Sequence, residues 1–92
     1  MKRYIRSGTT AKIEYELLGY AVNDYGQYAK VSLDTLAVSE KQALSNFRSQ
    51  VKTRYPGWSL VTDPKYYNLR QYTGPRYNKY PKLPDQFPLV KI

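Results

Sequence analysis

Residues 12–34 read KIEYELLGYAVNDYGQYAKVSLD, and the fold turns on this stretch. Ile13, Tyr15 and Leu17 alternate with Lys12, Glu14 and Glu16, the period of two expected of a half-buried strand. Leu18, Tyr20 and Val22 continue on the opposite parity, which predicts a bulge or twist at Gly19. Asn23-Asp24-Tyr25-Gly26 is a run of turn formers. Beyond it Ala29, Val31 and Leu33 alternate with Tyr28, Lys30, Ser32 and Asp34. Two alternating runs about a short turn predict a β-hairpin.

Working outward, Ser39-Glu40-Lys41-Gln42 has the form of a capping box, with Ser39 as N-cap and Gln42 three residues on. Ala43, Leu44, Phe47 and Val51 follow at helical spacing, and Tyr55-Pro56-Gly57 ends the run. The pattern predicts a helix over 40–54. Trp58-Ser59-Leu60-Val61-Thr62 reads as a third strand, closed by Asp63-Pro64, with Trp58 and Phe47 as core anchors. The expected architecture is α+β: a β-β-α-β body over 12–63, its antiparallel sheet covered on one face by one helix. A basic N-terminal arm, 1–11, precedes it. An extended, basic, Tyr/Pro-rich C-terminal arm, 64–92, follows.

The chain has 92 residues, enough for one small domain, and a formal charge of +8 from 15 Lys+Arg against 7 Asp+Glu. It contains neither His nor Cys. That excludes a disulfide framework, a zinc ribbon, a thiolate nucleophile, a Ser-His-Asp triad and an imidazole general base. Lack of Cys fits a reducing compartment, and no apolar run approaches the ~20 residues of a membrane span. Nor does an apolar run follow the basic start, so a signal peptide is not expected. Charge is partitioned along the chain: +4 over 1–12, −4 over 13–40 and +8 over 41–92. An acidic middle between basic arms predicts a two-faced surface.

The densest constellation is residues 65–82, KYYNLRQYTGPRYNKYPK, with five basic residues, five tyrosines and no acid. Lys65, Arg70, Arg76, Lys79 and Lys82 interleave with Tyr66, Tyr67, Tyr72, Tyr77 and Tyr80. Cations neutralise phosphates along a strand, and phenol rings offer faces on which unpaired bases stack. Two other readings stand beside this one. Tyr and Arg also make protein-interaction hot spots, and a Tyr-rich segment can pack over a sheet with rings half buried and hydroxyls wet.

On the helix, Lys41, Ser45, Arg48 and Lys52 fall within a narrow sector at about 100° per residue. That strip suits a phosphate backbone. It is equally a solvated face whose last-turn cations, Lys52 and Arg54, complement the helix dipole. Glu14, Glu16 and Asp34 are the one set of carboxylates that the hairpin could bring together for Mg²⁺. Alternation puts all three on the solvent side, where cross-strand pairing with Lys30 explains them more simply. No metal, cofactor or enzymatic activity is expected.

The short chain with its opening Met1-Lys2-Arg3-Tyr4-Ile5-Arg6-Ser7 resembles small accessory proteins of bacterial phages and mobile elements. The resemblance implies a bacterial cytoplasm. It also implies a setting in which single-domain proteins block host nucleases, anti-CRISPR inhibitors among them, or bind the element's own DNA. Many such inhibitors are acidic DNA mimics, and this basic chain departs from that pattern. The expected function is therefore non-enzymatic binding of nucleic acid or a nucleoprotein through basic, tyrosine-rich surfaces. The alternative is an inhibitor or assembly factor acting by protein contact. In that case Phe87-Pro88-Leu89-Val90-Lys91-Ile92 would add a strand to a partner's sheet.

Overall fold

The first run of alternating residues becomes the central strand, β1 (Ile13–Asn23), of a computed structural model that describes residues 12–72 and 79–92. The N-terminal arm and the candidates Arg76 and Tyr77 lie outside the described residues. β1 pairs antiparallel with β2 (Tyr28–Ala37) in continuous register from Ile13↔Ala37 to Val22↔Tyr28. Gly19 sits opposite Val31 within that ladder, so the bulge expected there does not occur. The change of parity has another cause. Residues 15–21 are all buried, because both faces of β1 are covered. A strand covered on both sides is apolar at odd and even positions alike.

The odd face carries the main core. Tyr15, Leu17 and Ala21 of β1 join Val31, Leu33 and Ala37 of β2 beneath Ala43, Phe47 and Val51 of α1 (Glu40–Arg54). Those three helix residues are spaced by four, so they share one face. The helix begins where the sequence places it: the Gln42 N–H donates to Ser39 Oγ at 3.1 Å, and Gln42 Oε1 accepts the Val38 N–H at 2.8 Å. Such a cap contributes about 1 kcal/mol. One flank of α1 is tied to the outer edge of β2, with Gln50 Nε2 donating to the Asp34 carbonyl and Asn46 Nδ2 to that of Leu36.

Helix α1 stops as Gly57 takes φ +90°, a backbone state that disfavours any Cβ. The second edge of β1 is then shared. β3 (Trp58–Leu60) pairs with Ala21–Asn23, and β4 (Asn68–Gln71) pairs with Tyr15–Leu18. The result is an open, four-stranded antiparallel sheet with one helix on one face, the α+β architecture expected from the sequence. Two details differ. The third strand ends at Leu60, and residues read as the start of an extended arm supply the fourth. Between β3 and β4 the chain makes a 3-10 turn, Pro64–Tyr66, capped by the Asp63 carboxylate. It then passes Gly19 so closely that a Cβ there would lie 2.9 Å from Tyr67 Cβ and 3.3 Å from the Tyr66 carbonyl oxygen.

Residues 79–92 cross the even face as a strap. The Tyr20 hydroxyl donates to the Pro81 carbonyl, and the Tyr80 ring lies 6.0 Å from that of Tyr20. Phe87 stacks on Tyr28 at 4.8 Å and 17°. The Tyr28 N–H donates to the Pro88 carbonyl and the Val90 N–H to the Tyr28 carbonyl, a single parallel bridge at the start of the β2 edge. The aliphatic ending is thus engaged in part with this chain's own sheet.

Candidate nucleic-acid interface

Two groups of candidate residues emerge, on opposite sides of the sheet. On α1, Lys41, Arg48 and Lys52 are all exposed. At about 100° per residue they lie on the flank away from Asn46 and Gln50, hence away from the β2 edge. No ion pair to a carboxylate joins any of the three to a described residue.

The second group follows the strap. Lys79 and Lys82 are exposed, and the Lys79 carbonyl accepts from Asn68 Nδ2 at 2.8 Å. Lys82 borders an open cleft of about 530 Å³ whose floor includes Tyr20, Lys30 and Tyr80. Lys30 Nζ stands 5.1 Å above the Tyr80 ring, a cation–π contact that reading along the chain did not reveal. Sheet and core separate this group from the helix strip, so they form two surfaces rather than one.

Of the tyrosines of 65–82, the four described ones, Tyr66, Tyr67, Tyr72 and Tyr80, are partly taken up by packing. Tyr66 lies 6.3 Å from the Phe87 ring, Tyr67 packs against the core beside Gly19, and Tyr80 covers Tyr20. The Tyr72 N–H extends the β4 ladder by donating to the Glu14 carbonyl. All four rings are half-buried, which leaves less of each face for stacking than an extended arm would. Lys65 is exposed, 4.0 Å from the Asp63 carboxylate and over the Tyr66 ring.

Arg70, expected as a phosphate contact, is engaged within the chain. Its Nε donates to Glu16 Oε1 at 2.7 Å, and Glu16 is only 1% exposed. Glu16, placed on the solvent side by alternation, is instead the buried charge of the even face. β4 brings Arg70 directly opposite it, a pairing between residues 54 apart that no local pattern signals. Among the described residues no group of three His, Cys, Asp or Glu side chains is placed to hold a metal ion. No helix among them is long and apolar enough to cross a membrane.

Burial raises the Tyr20 phenol above its ordinary value of 10.0, with the charge of neighbouring Tyr80 adding to the shift. Burial alone raises Tyr80. The folded state therefore holds these protons more tightly than the unfolded chain does. Their contribution to stability is complete below the ordinary tyrosine pKa and falls as pH rises through the raised one. The stability advantage of the native protein over a Tyr20→Phe variant is accordingly expected to be constant up to pH ~10 and to shrink above it. Urea midpoints of the two proteins across that range check this.

Comparison with protein-family models, with curated proteins and with solved structures finds no match for this chain.

Proposed function

We propose that this chain is a non-enzymatic protein that binds nucleic acid, alone or within a nucleoprotein, through its basic surfaces. The observation that carries the reading is the helix strip. Lys41, Arg48 and Lys52 stand exposed in one line, on the flank not used to hold β2, without a carboxylate partner among the described residues. Cations so placed release counterions on meeting a phosphate backbone. Lys79 and Lys82 supply a second cationic surface on the strap side.

Binding of this kind is governed by salt. About six phosphate contacts give a slope of log affinity against log salt near −5 on duplex DNA. Neutralising Lys41, Arg48 and Lys52 together, each to Gln, is expected to reduce that slope by roughly 2.7. Fluorescence anisotropy with a labelled duplex at several salt concentrations checks both values, and a flat salt response removes the reading. Deleting residues 64–92 is not a usable control, since it would take away β4 and the strap along with the cations.

A further inference from the structure

Tyr66, Tyr67, Tyr72 and Tyr80 are each half-buried, and a ring with more of its face open to a base lies elsewhere. Among the described residues one aromatic ring stands in solvent: Tyr25, 88% exposed, at the tip of the β1–β2 hairpin. Its position is built. Asn23 Oδ1 accepts the N–H groups of Tyr25 and Gln27, each at 3.0 Å, and Asn23 Nδ2 donates to Gln27 Oε1 at 2.9 Å. Two backbone bonds, Asn23 N–H to the Gln27 carbonyl and Gly26 N–H to the Asn23 carbonyl, close the loop. Gly26 takes φ +77°, the left-handed residue that ends a three-residue hairpin loop. A large apolar ring held in water by five hydrogen bonds around one Asn is a presented side chain rather than a loose one.

The topology places cations toward the same end of the molecule. Asn23 pairs with Trp58, and Trp58 follows the end of α1 after three residues, its N–H bonded to the Tyr55 carbonyl. The exposed last-turn cations Lys52 and Arg54 therefore share the hairpin-tip end of the molecule. Asp24, exposed beside Tyr25, is the one carboxylate of the loop. A carboxylate there repels any phosphate backbone, but it accepts a hydrogen bond from the exocyclic amine of an unpaired base.

We infer that the hairpin tip takes an unpaired base of a single-stranded nucleic acid: Tyr25 stacks on it, Asp24 accepts from its amino group, and Lys52 and Arg54 meet the neighbouring phosphates. This rests on the nucleic-acid reading above and deepens it, giving single strands a base contact at the hairpin tip that a duplex does not make. A base stacked on tyrosine gains affinity with little dependence on sequence.

The test measures anisotropy of labelled single strands of about 12 nucleotides, DNA and RNA, beside a duplex of the same sequence. Full-length native protein is compared with Tyr25→Ala, Tyr25→Phe and the Lys52→Gln/Arg54→Gln pair, after matched thermal melts confirm that the variants fold. Tyr25→Ala is expected to weaken single-strand binding at least about fivefold, with the salt slope and duplex affinity unchanged. Tyr25→Phe retains affinity, and the charge pair lowers the slope. Equal single-strand affinity of Tyr25→Ala and native protein overturns the tip assignment while the broader reading stands, and leaves the tip as a surface for a protein partner. Absence of binding to strands and duplex alike overturns both.

Discussion

Arg70→Ala is expected to lower the unfolding free energy by about 3 kcal/mol. Removing the guanidinium takes the 2.7 Å partner from a carboxylate that is 1% exposed. A charge left in such surroundings loses its hydration without the compensation it had. The Arg70 side chain itself is 34% exposed, so its own desolvation is modest and most of the penalty falls on Glu16. The double variant Glu16→Leu/Arg70→Met is expected to recover most of the loss, because a well-packed apolar pair replaces a buried ion pair at little net cost. Urea titrations of the two singles and the double close the cycle. If Arg70→Ala instead keeps its stability and loses only nucleic-acid affinity, Arg70 is a phosphate contact, as its setting in the sequence implied.

Gly19→Val is expected to cost about 3 kcal/mol, at the upper end for overpacking. Gly19 is required for space rather than for backbone conformation. Its first side-chain atom would meet Tyr67 Cβ at 2.9 Å and the Tyr66 backbone carbonyl at 3.3 Å, where the chain passes between β3 and β4. Backbone gives way less readily than the end of a long side chain. Two more methyl groups would therefore push the 3-10 turn off β1 and weaken the seating of β4 beside it. Gly19→Ala is expected to show the same effect at smaller size. Thermal or urea midpoints measure both, and an unchanged midpoint for Gly19→Val would show that the crossing is not close.

The hairpin and helix were legible because their signals are local. The turn formers at 23–26, the Ser39 cap and the spacing of Ala43, Phe47 and Val51 each act within a few residues, and α1 runs over the residues they mark. Misreadings arose where a distant segment covers a face. Tyr15 through Ala21 looked like an alternating strand that shifts parity at Gly19, when it is one continuous strand buried on both sides. A signal was present: apolar residues at Leu17, Leu18, Tyr20 and Ala21 lie on both parities, the mark of a covered central strand. β4 had no such signal, since Asn68-Leu69-Arg70-Gln71 contains one aliphatic residue and becomes a strand only because β1 has an open edge. Of the candidate site, the cations of α1 were legible as an exposed line, whereas the packing of Arg70, Tyr66, Tyr67, Tyr72 and Tyr80 was not.

By itself, then, the sequence determined the elements of the β-β-α-β body, both helix ends, the partition of charge and the absence of imidazole and thiol chemistry. These depend on residue identity and short-range spacing alone. Only the tertiary structure decided what the segment after Pro64 does. It makes Arg70 the partner of a buried carboxylate, lays Tyr80 and Phe87 of the strap over the second face of the sheet, and leaves Tyr25 as the exposed aromatic ring among the described residues. The physical reason is that a tyrosine or an arginine has the same chemistry as ligand contact or as packing. Which of the two it performs depends on the surface that long-range strand pairing brings against it.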